Sequence, residues 1–295
     1  MKTAVLKIFE LQWKFVYKFR STKEKDTMAI DVFENAGKGI NAVWDNRSVL
    51  LKLALIPVLI KIACHVLIYI IQFQDELLWQ GIIRIPDFVT EGWLLCILIY
   101  LLSAGENDAP DSAKNAFKSI KTNTKAIQAG VIAYVLIQLL VIGYNALLFE
   151  NFGEYMRAGP ENEIEEDAQI GPEKIALMLF AFLVVIAFFK YLWLYIPIAR
   201  GWGLSGTLRM LAGHGLSLRF LFLWALCIVP VTVIFIGVVG LILENSGGDL
   251  SSAPKSVSFV VLIFQSLYET ITALILTSAF FFAFQSLDTK ARGIN

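Results

Sequence analysis

Six long apolar runs dominate the sequence, and each approaches or exceeds the roughly 20 residues that a helix needs to cross the hydrocarbon core of a membrane. The composition agrees, because 57% of the residues are hydrophobic and only 17% are charged, whereas soluble domains are about 45–50% apolar. We therefore expect an all-α integral membrane protein with six transmembrane helices. The runs are Val49–Phe73, Ile85–Ser103, Ala126–Phe149, Ile175–Ala199, Phe220–Leu243 and Ser258–Leu287.

The distribution of Lys and Arg predicts the orientation of these helices, since basic residues concentrate in cytoplasmic loops. The segment before the first run carries nine of them. Successive connections carry one, four, two, three and one, and the tail carries two. This alternation places both termini in the cytoplasm, and we expect a multi-pass protein of a bacterial inner membrane. The predicted regions are an amphipathic, interfacial cytoplasmic region 1–48, a six-helix domain 49–287 and a cytoplasmic tail 288–295.

The second run is the weakest, because Asp87 and Glu91 lie near its start. A re-entrant or interfacial segment is the alternative to a full span. The charge pattern favours a full span, because dropping it would place basic loops on both sides of the membrane.

The first twenty residues predict a helix that lies on the membrane surface. Lys7, Lys14 and Lys18 fall on its polar face, and Trp13 falls on a broad apolar face. Such a helix binds an anionic leaflet, although the same face could bind a partner helix. We therefore expect membrane lipids and other membrane proteins as partners. The 25 basic residues balance the 25 acidic ones, so the net charge does not suggest nucleic acid.

Short amphipathic segments with a basic residue precede the first, third and fifth runs, at residues 30–48, 112–125 and 204–219. Their period of about 85–90 residues suggests three repeats of one elbow segment and two spans. This arrangement resembles the membrane domains of bacterial YciC-like proteins and those beside some glycerophosphodiester phosphodiesterases. The resemblance implies a membrane fold and transfers no site residue, because those domains are not associated with a defined catalytic set.

Polar residues inside the runs are the main functional candidates, because a charge at the bilayer centre costs about 2.5–3.5 kcal/mol on insertion scales. Lys61 and His65 are four residues apart and share one helical stripe, while Glu269 lies on a second stripe in the sixth run. Counted from the outer ends, Lys61 and Glu269 lie at depths of about 18 and 16 Å and could pair. His65 and Glu91, at about 12 and 9 Å, form a second predicted level.

Gln138 and Lys190, on the third and fourth runs, could complete this polar interior. One interpretation of the cluster is a proton or substrate pathway. The other is a polar core that only holds the helices together.

No catalytic, metal or cofactor site is predicted. The sequence has no Walker, HExxH or dinucleotide-binding pattern. Gly203–Gly206 reads GLSG, similar to the nucleophile motif of rhomboid-type proteases, but it lies in a predicted cytoplasmic connection. The three cysteines lie within apolar runs and have no CxxC spacing.

We therefore expect a non-enzymatic inner-membrane protein, either an accessory or scaffold subunit of a membrane assembly or a lipid-handling protein. The alternative is a small-solute or proton-coupled transporter that uses the intramembrane polar cluster.

Overall fold

The computed structural model describes residues 30–73, 76–105, 121–157, 172–212, 215–244, 246 and 254–291. All regular secondary structure in these ranges is helical. The helices are α1 (Val32–Asp45), α2 (Arg47–Ile71), α3 (Leu77–Ile83), α4 (Ile85–Gly105), α5 (Thr124–Arg157), α6 (Pro172–Phe188), α7 (Tyr195–Ala199), α8 (Leu204–Met210), α9 (Leu216–Glu244) and α10 (Lys255–Ala291).

Six segments are long and apolar enough to span a membrane, which confirms the predicted all-α multi-pass fold. They are Arg47–Ile71, Ile85–Ser103, Thr124–Glu150, Ile175–Ala199, Leu216–Glu244 and Lys255–Thr289. Each overlaps one predicted run, and the ends differ by a few residues. Hydropathy places spans well, because every backbone polar group at this depth must be satisfied within its own helix.

The second span, α4, is the central helix of the bundle. It packs against α2, α5 and α10, and 72% of its most apolar stretch is buried within the protein. It is one continuous helix of 21 residues, so the re-entrant alternative is wrong. Its weak hydropathy has a physical reason: the face of α4 that carries Asp87 and Glu91 packs against other helices, so these buried acidic side chains meet partners rather than lipid.

Helix α1 precedes the first span and packs along α10 and α9. Asp31 begins it by accepting a hydrogen bond from the Glu34 backbone N–H at 3.0 Å. Gly39 lies so close to α10 that a Cβ atom there would sit 2.6 Å from the Ala279 backbone nitrogen. One face of the first predicted elbow segment is therefore buried against the bundle.

The fourth span is interrupted. Helix α6 gives way to a 3-10 turn, Phe189–Trp193, and then to the short helix α7. Trp193 of this turn stacks on Phe280 of α10, with ring centroids 3.7 Å apart. Discontinuous helices at membrane depth are tolerated where the freed backbone is enclosed by protein. The break lies against α9 and α10 and so does not face lipid alone.

Several predicted features lie outside the described residues. These are the surface helix with Lys7, Trp13, Lys14 and Lys18, most of the elbow segment 112–125, and the last residues of the tail. The three-fold repeat therefore stays a prediction.

Candidate functional site: an intramembrane charge network

Charged side chains from three spans meet where α2, α4 and α10 pack together. Lys61 and His65 are one turn apart on α2, and Asp87 and Glu91 are one turn apart on α4. Glu269 lies on α10, opposite both pairs. The i, i+4 spacing explains the arrangement, because residues four apart project from the same face of a helix. These residues, together with Arg84 at the start of α4, are called the charge network below.

Lys61 lies at the centre of the charge network and is only 1% exposed. Its Nζ atom donates a hydrogen bond to Glu91 Oε1 at 2.5 Å. The same atom lies 3.6 Å from Glu269 Oε2 and 3.7 Å from Asp87 Oδ1. One ammonium group therefore joins carboxylates of two different spans to α2.

Arg84 lies at the junction between α3 and α4 and forms one side of the charge network. Its Nη2 atom donates to Glu269 Oε2 at 2.6 Å and to Asp87 Oδ2 at 3.1 Å. In the sequence, Arg84 stands out only as the basic residue of the connection between the first two runs. An Arg three residues before a buried Asp was the available signal, since i, i+3 pairs meet on a helix surface.

Glu91 has a donor on each of its two carboxylate oxygens. Lys61 contacts Oε1, and the buried Tyr134 hydroxyl on α5 donates to Oε2 at 2.7 Å. The ring of Tyr134 packs edge-on against Tyr195 of α7, at a centroid distance of 5.1 Å. The Tyr195 and Thr277 hydroxyls are 2.7 Å apart. The contacts of the network thus extend to the short helix after the break in the fourth span, and the step from Tyr134 to Tyr195 is an aromatic ring contact.

His65 is buried, with 6% of its surface exposed. Its Nδ1 atom lies 3.1 Å from Ser266 Oγ on α10. Its Nε2 atom faces Glu269 Oε1 at 3.7 Å and has no hydrogen-bond partner in the described protein. The buried Asp87 Oδ1 atom also lacks a hydrogen bond there. Buried polar atoms without a hydrogen bond are uncommon in proteins, so these two atoms mark places where a further hydrogen-bonding group would fit.

The structure brings together four of the six intramembrane residues chosen from the sequence: Lys61, His65, Glu91 and Glu269. The predicted pairing of Lys61 with Glu269 is confirmed, at 3.6 Å. The predicted second level of His65 and Glu91 is wrong, because Glu91 contacts Lys61 at 2.5 Å and His65 faces Glu269. The depth of each residue along its helix could be predicted from the sequence. Which helices are neighbours could not.

The other two chosen residues lie apart from the network. Gln138 is half-buried on α5, about one turn beyond Tyr134. Lys190 is buried in the 3-10 turn of the fourth span, next to the Tyr191 ring. That turn packs at the height of Phe280, which is about three helical turns along α10 from Glu269. Neither residue contributes a charge to the contacts described above.

The network contains more acidic than basic groups. Asp87, Glu91 and Glu269 supply three carboxylates, and Lys61 and Arg84 supply two cations. With His65 neutral, the fully ionised network has a net charge of −1. A buried unbalanced charge is costly, so this arrangement favours the binding of one more positive charge.

Within the described ranges, no residues are arranged for metal coordination or for thiol chemistry. No group of three or more His, Cys, Asp and Glu side chains there is placed to hold a metal ion. Cys64, Cys96 and Cys227 are buried and unpaired by disulfides.

No family model, curated protein or solved structure matches the chain.

Proposed function

We propose that this protein is a non-enzymatic, proton-coupled transporter of small solutes, with the charge network as its ion site. The observation that carries the proposal is a network between three spans in which three carboxylates share two cations. Acidic and histidine side chains within membrane spans recur in proton relays of transporters. Its location, by the same proposal, is a bacterial inner membrane with both termini in the cytoplasm.

Magnitudes favour this proposal over a purely structural network. Four of the charges lie within spans, and at about 2.5–3.5 kcal/mol each their insertion costs about 10–14 kcal/mol before pairing. Neutral hydrogen bonds between membrane helices contribute about 0.6 kcal/mol each without that cost. Holding three helices together therefore does not require charges. Uptake and release of an ion does require charged groups, because the charge of the site changes when the ion binds.

The exposure of the network suggests from which side it is reached. Lys61, Asp87 and Glu91 are almost fully buried, whereas the side chains of Arg84 and Glu269 are 22% and 23% exposed. Arg84 is the one basic residue of the connection between the first two spans, which the charge distribution predicts to be external. We propose that protons reach the network from the outside, past Arg84 and Glu269.

Thiol labelling tests whether water reaches the network. In a variant without the three native cysteines, Gln265→Cys places a thiol one turn from Glu269, where Gln265 Nε2 now donates to Glu269 Oε1 at 3.1 Å. Leu267→Cys is the matched control, because Leu267 is 39% exposed on the same helix and lies two residues from Gln265, about 3 Å along the helix axis. Membrane-impermeant thiosulfonates react with thiolates, which require water.

If the protein is a transporter, we expect Gln265→Cys to react at least tenfold faster than Leu267→Cys when the reagent is added outside. Equal, slow rates from both sides would contradict transport through the network. Rapid reaction only from the cytoplasmic side would reverse the proposed orientation.

The second candidate is an accessory, scaffold or lipid-handling subunit, and a different observation favours it. Only 11% of the most apolar stretch is buried in the third and fourth spans, and 6% in the fifth. These helices present wide apolar faces to lipid or to the helices of another protein. Slow labelling of Gln265→Cys from both sides of the membrane would favour this candidate.

A further inference from the structure

The hydrogen bonds around His65 determine which ring nitrogen carries a hydrogen. The Ser266 hydroxyl donates its one hydrogen to the Leu262 carbonyl oxygen at 2.8 Å. Placed on the Leu262 oxygen, the nearer of two possible acceptors, that hydrogen leaves Ser266 Oγ to accept from His65 Nδ1, which lies 3.1 Å away. In this arrangement His65 carries its hydrogen on Nδ1, and a neutral ring presents a bare lone pair at Nε2.

That lone pair would face a carboxylate. Nε2 is directed at Glu269 Oε1 across 3.7 Å, and it is buried without a hydrogen-bond partner in the described protein. Two acceptors in such contact repel each other, whereas a proton between them would convert the repulsion into a charge-assisted hydrogen bond. It would also bring the network to three cations and three carboxylates, with no net charge.

We propose that the charge network binds one exchangeable proton on His65 Nε2, with Glu269 Oε1 as its acceptor. The Nε2 lone pair forms the new N–H bond, and the proton comes from a hydronium ion of the aqueous phase, which leaves as water. The inference deepens the proposed function by naming the place of the coupling proton, and it rests on that function for the role of the proton in transport.

The other carboxylate oxygens are poorer sites for this proton. Both oxygens of Glu91 already accept from Lys61 and Tyr134. Asp87 Oδ1 lacks a hydrogen bond, but its charged neighbour is the Lys61 ammonium at 3.7 Å. A hydrogen placed there would face a donor rather than an acceptor. Only the position between His65 and Glu269 offers both a lone pair to bind the proton and an acceptor to receive it.

All charged groups around His65 enter this balance. Lys61 lies one turn away on α2, and Arg84, Asp87 and Glu91 approach from α4 and its start. Glu269 approaches from α10. Arg84 and Lys61 disfavour a further positive charge, and the three carboxylates favour it. The carboxylates outnumber the two cations, and Glu269 faces Nε2 directly, so the neighbouring charges favour the bound proton, whereas the burial of His65 opposes a charged ring.

Nitrogen-15 NMR of histidine-labelled protein in lipid bilayers tests the proposal directly. The chain contains two histidines, so His214→Gln leaves His65 as the single labelled ring. We expect both His65 nitrogens to carry hydrogen at pH 7, and only Nδ1 in the additional variant Glu269→Gln. An unprotonated Nε2 at pH 7 in the His214→Gln protein would overturn the proposal, as would a hydrogen on Nε2 with none on Nδ1.

Asp87→Asn is the matched control, because it removes one negative charge from the network without touching Nε2. The proposal expects a smaller loss of the Nε2–H signal than Glu269→Gln causes. An equal loss would mean that the proton responds to total charge only, which would overturn its location.

The spectrum and the labelling experiment can fail separately. A bare Nε2 with a reactive Gln265→Cys thiol would remove this proton site and leave transport standing. A protonated Nε2 with an unreactive Gln265→Cys thiol would leave this proton site standing and remove transport through the network.

Discussion

Removing the Lys61 ammonium should destabilise the protein strongly, and the choice of second substitution should decide how much stability returns. In Lys61→Met, Glu91 keeps only the Tyr134 hydroxyl as a donor. Glu269 keeps Arg84 at 2.6 Å. Glu91 therefore becomes the uncompensated charge. Leaving one member of a buried ion pair alone costs about 3–5 kcal/mol in soluble proteins, and we expect a loss of free energy of unfolding in that range.

The double variant Lys61→Met with Glu91→Gln should recover most of that loss, to within about 1 kcal/mol of the parent, because both charges leave together. The glutamine carbonyl can still accept from Tyr134. The double variant Lys61→Met with Glu269→Gln should recover much less, because Glu91 stays unpaired and Arg84 loses a partner. The distances agree: at equal dielectric, the 2.5 Å contact of Lys61 with Glu91 is about 1.4 times as strong as its 3.6 Å contact with Glu269.

Unfolding of the parent and the variants in mixed detergent micelles, followed by tryptophan fluorescence, measures these differences. Equal recovery in the two double variants would refute the reasoning, because it would show that the network responds to total charge rather than to contacts. No recovery in either variant would show that Lys61 does not meet these carboxylates.

Two further predictions concern other parts of the chain. A peptide of residues 1–20 should bind anionic vesicles more tightly than neutral ones, with affinity falling as salt screens its lysines; salt-independent binding would remove the electrostatic part of this expectation. Gly39→Ala should lower thermal stability in detergent, because its Cβ would lie 2.6 Å from the Ala279 backbone nitrogen. Gly206→Ala, where nothing lies within 4 Å of the added atom, should be neutral or stabilise by up to about 1 kcal/mol, and a similar loss in both would contradict the proposed close packing.

The number and position of the spans could be predicted from the sequence, because lipid imposes a local requirement on each segment. An apolar stretch long enough to cross the hydrocarbon core is visible without knowledge of its neighbours. The depth of Lys61 and Glu269 was readable for the same reason, since each residue of a helix advances the chain by a constant rise.

The tertiary structure decided which helices are neighbours, and with that the composition of the site. The central position of α4 made its acidic residues tolerable, although the same residues made it the weakest predicted span. Arg84 and Tyr134 looked like an ordinary loop cation and an ordinary apolar-span aromatic until packing placed them against Glu269 and Glu91. Such contacts depend on how side chains of separate helices fit together, and no periodicity within one helix encodes that fit.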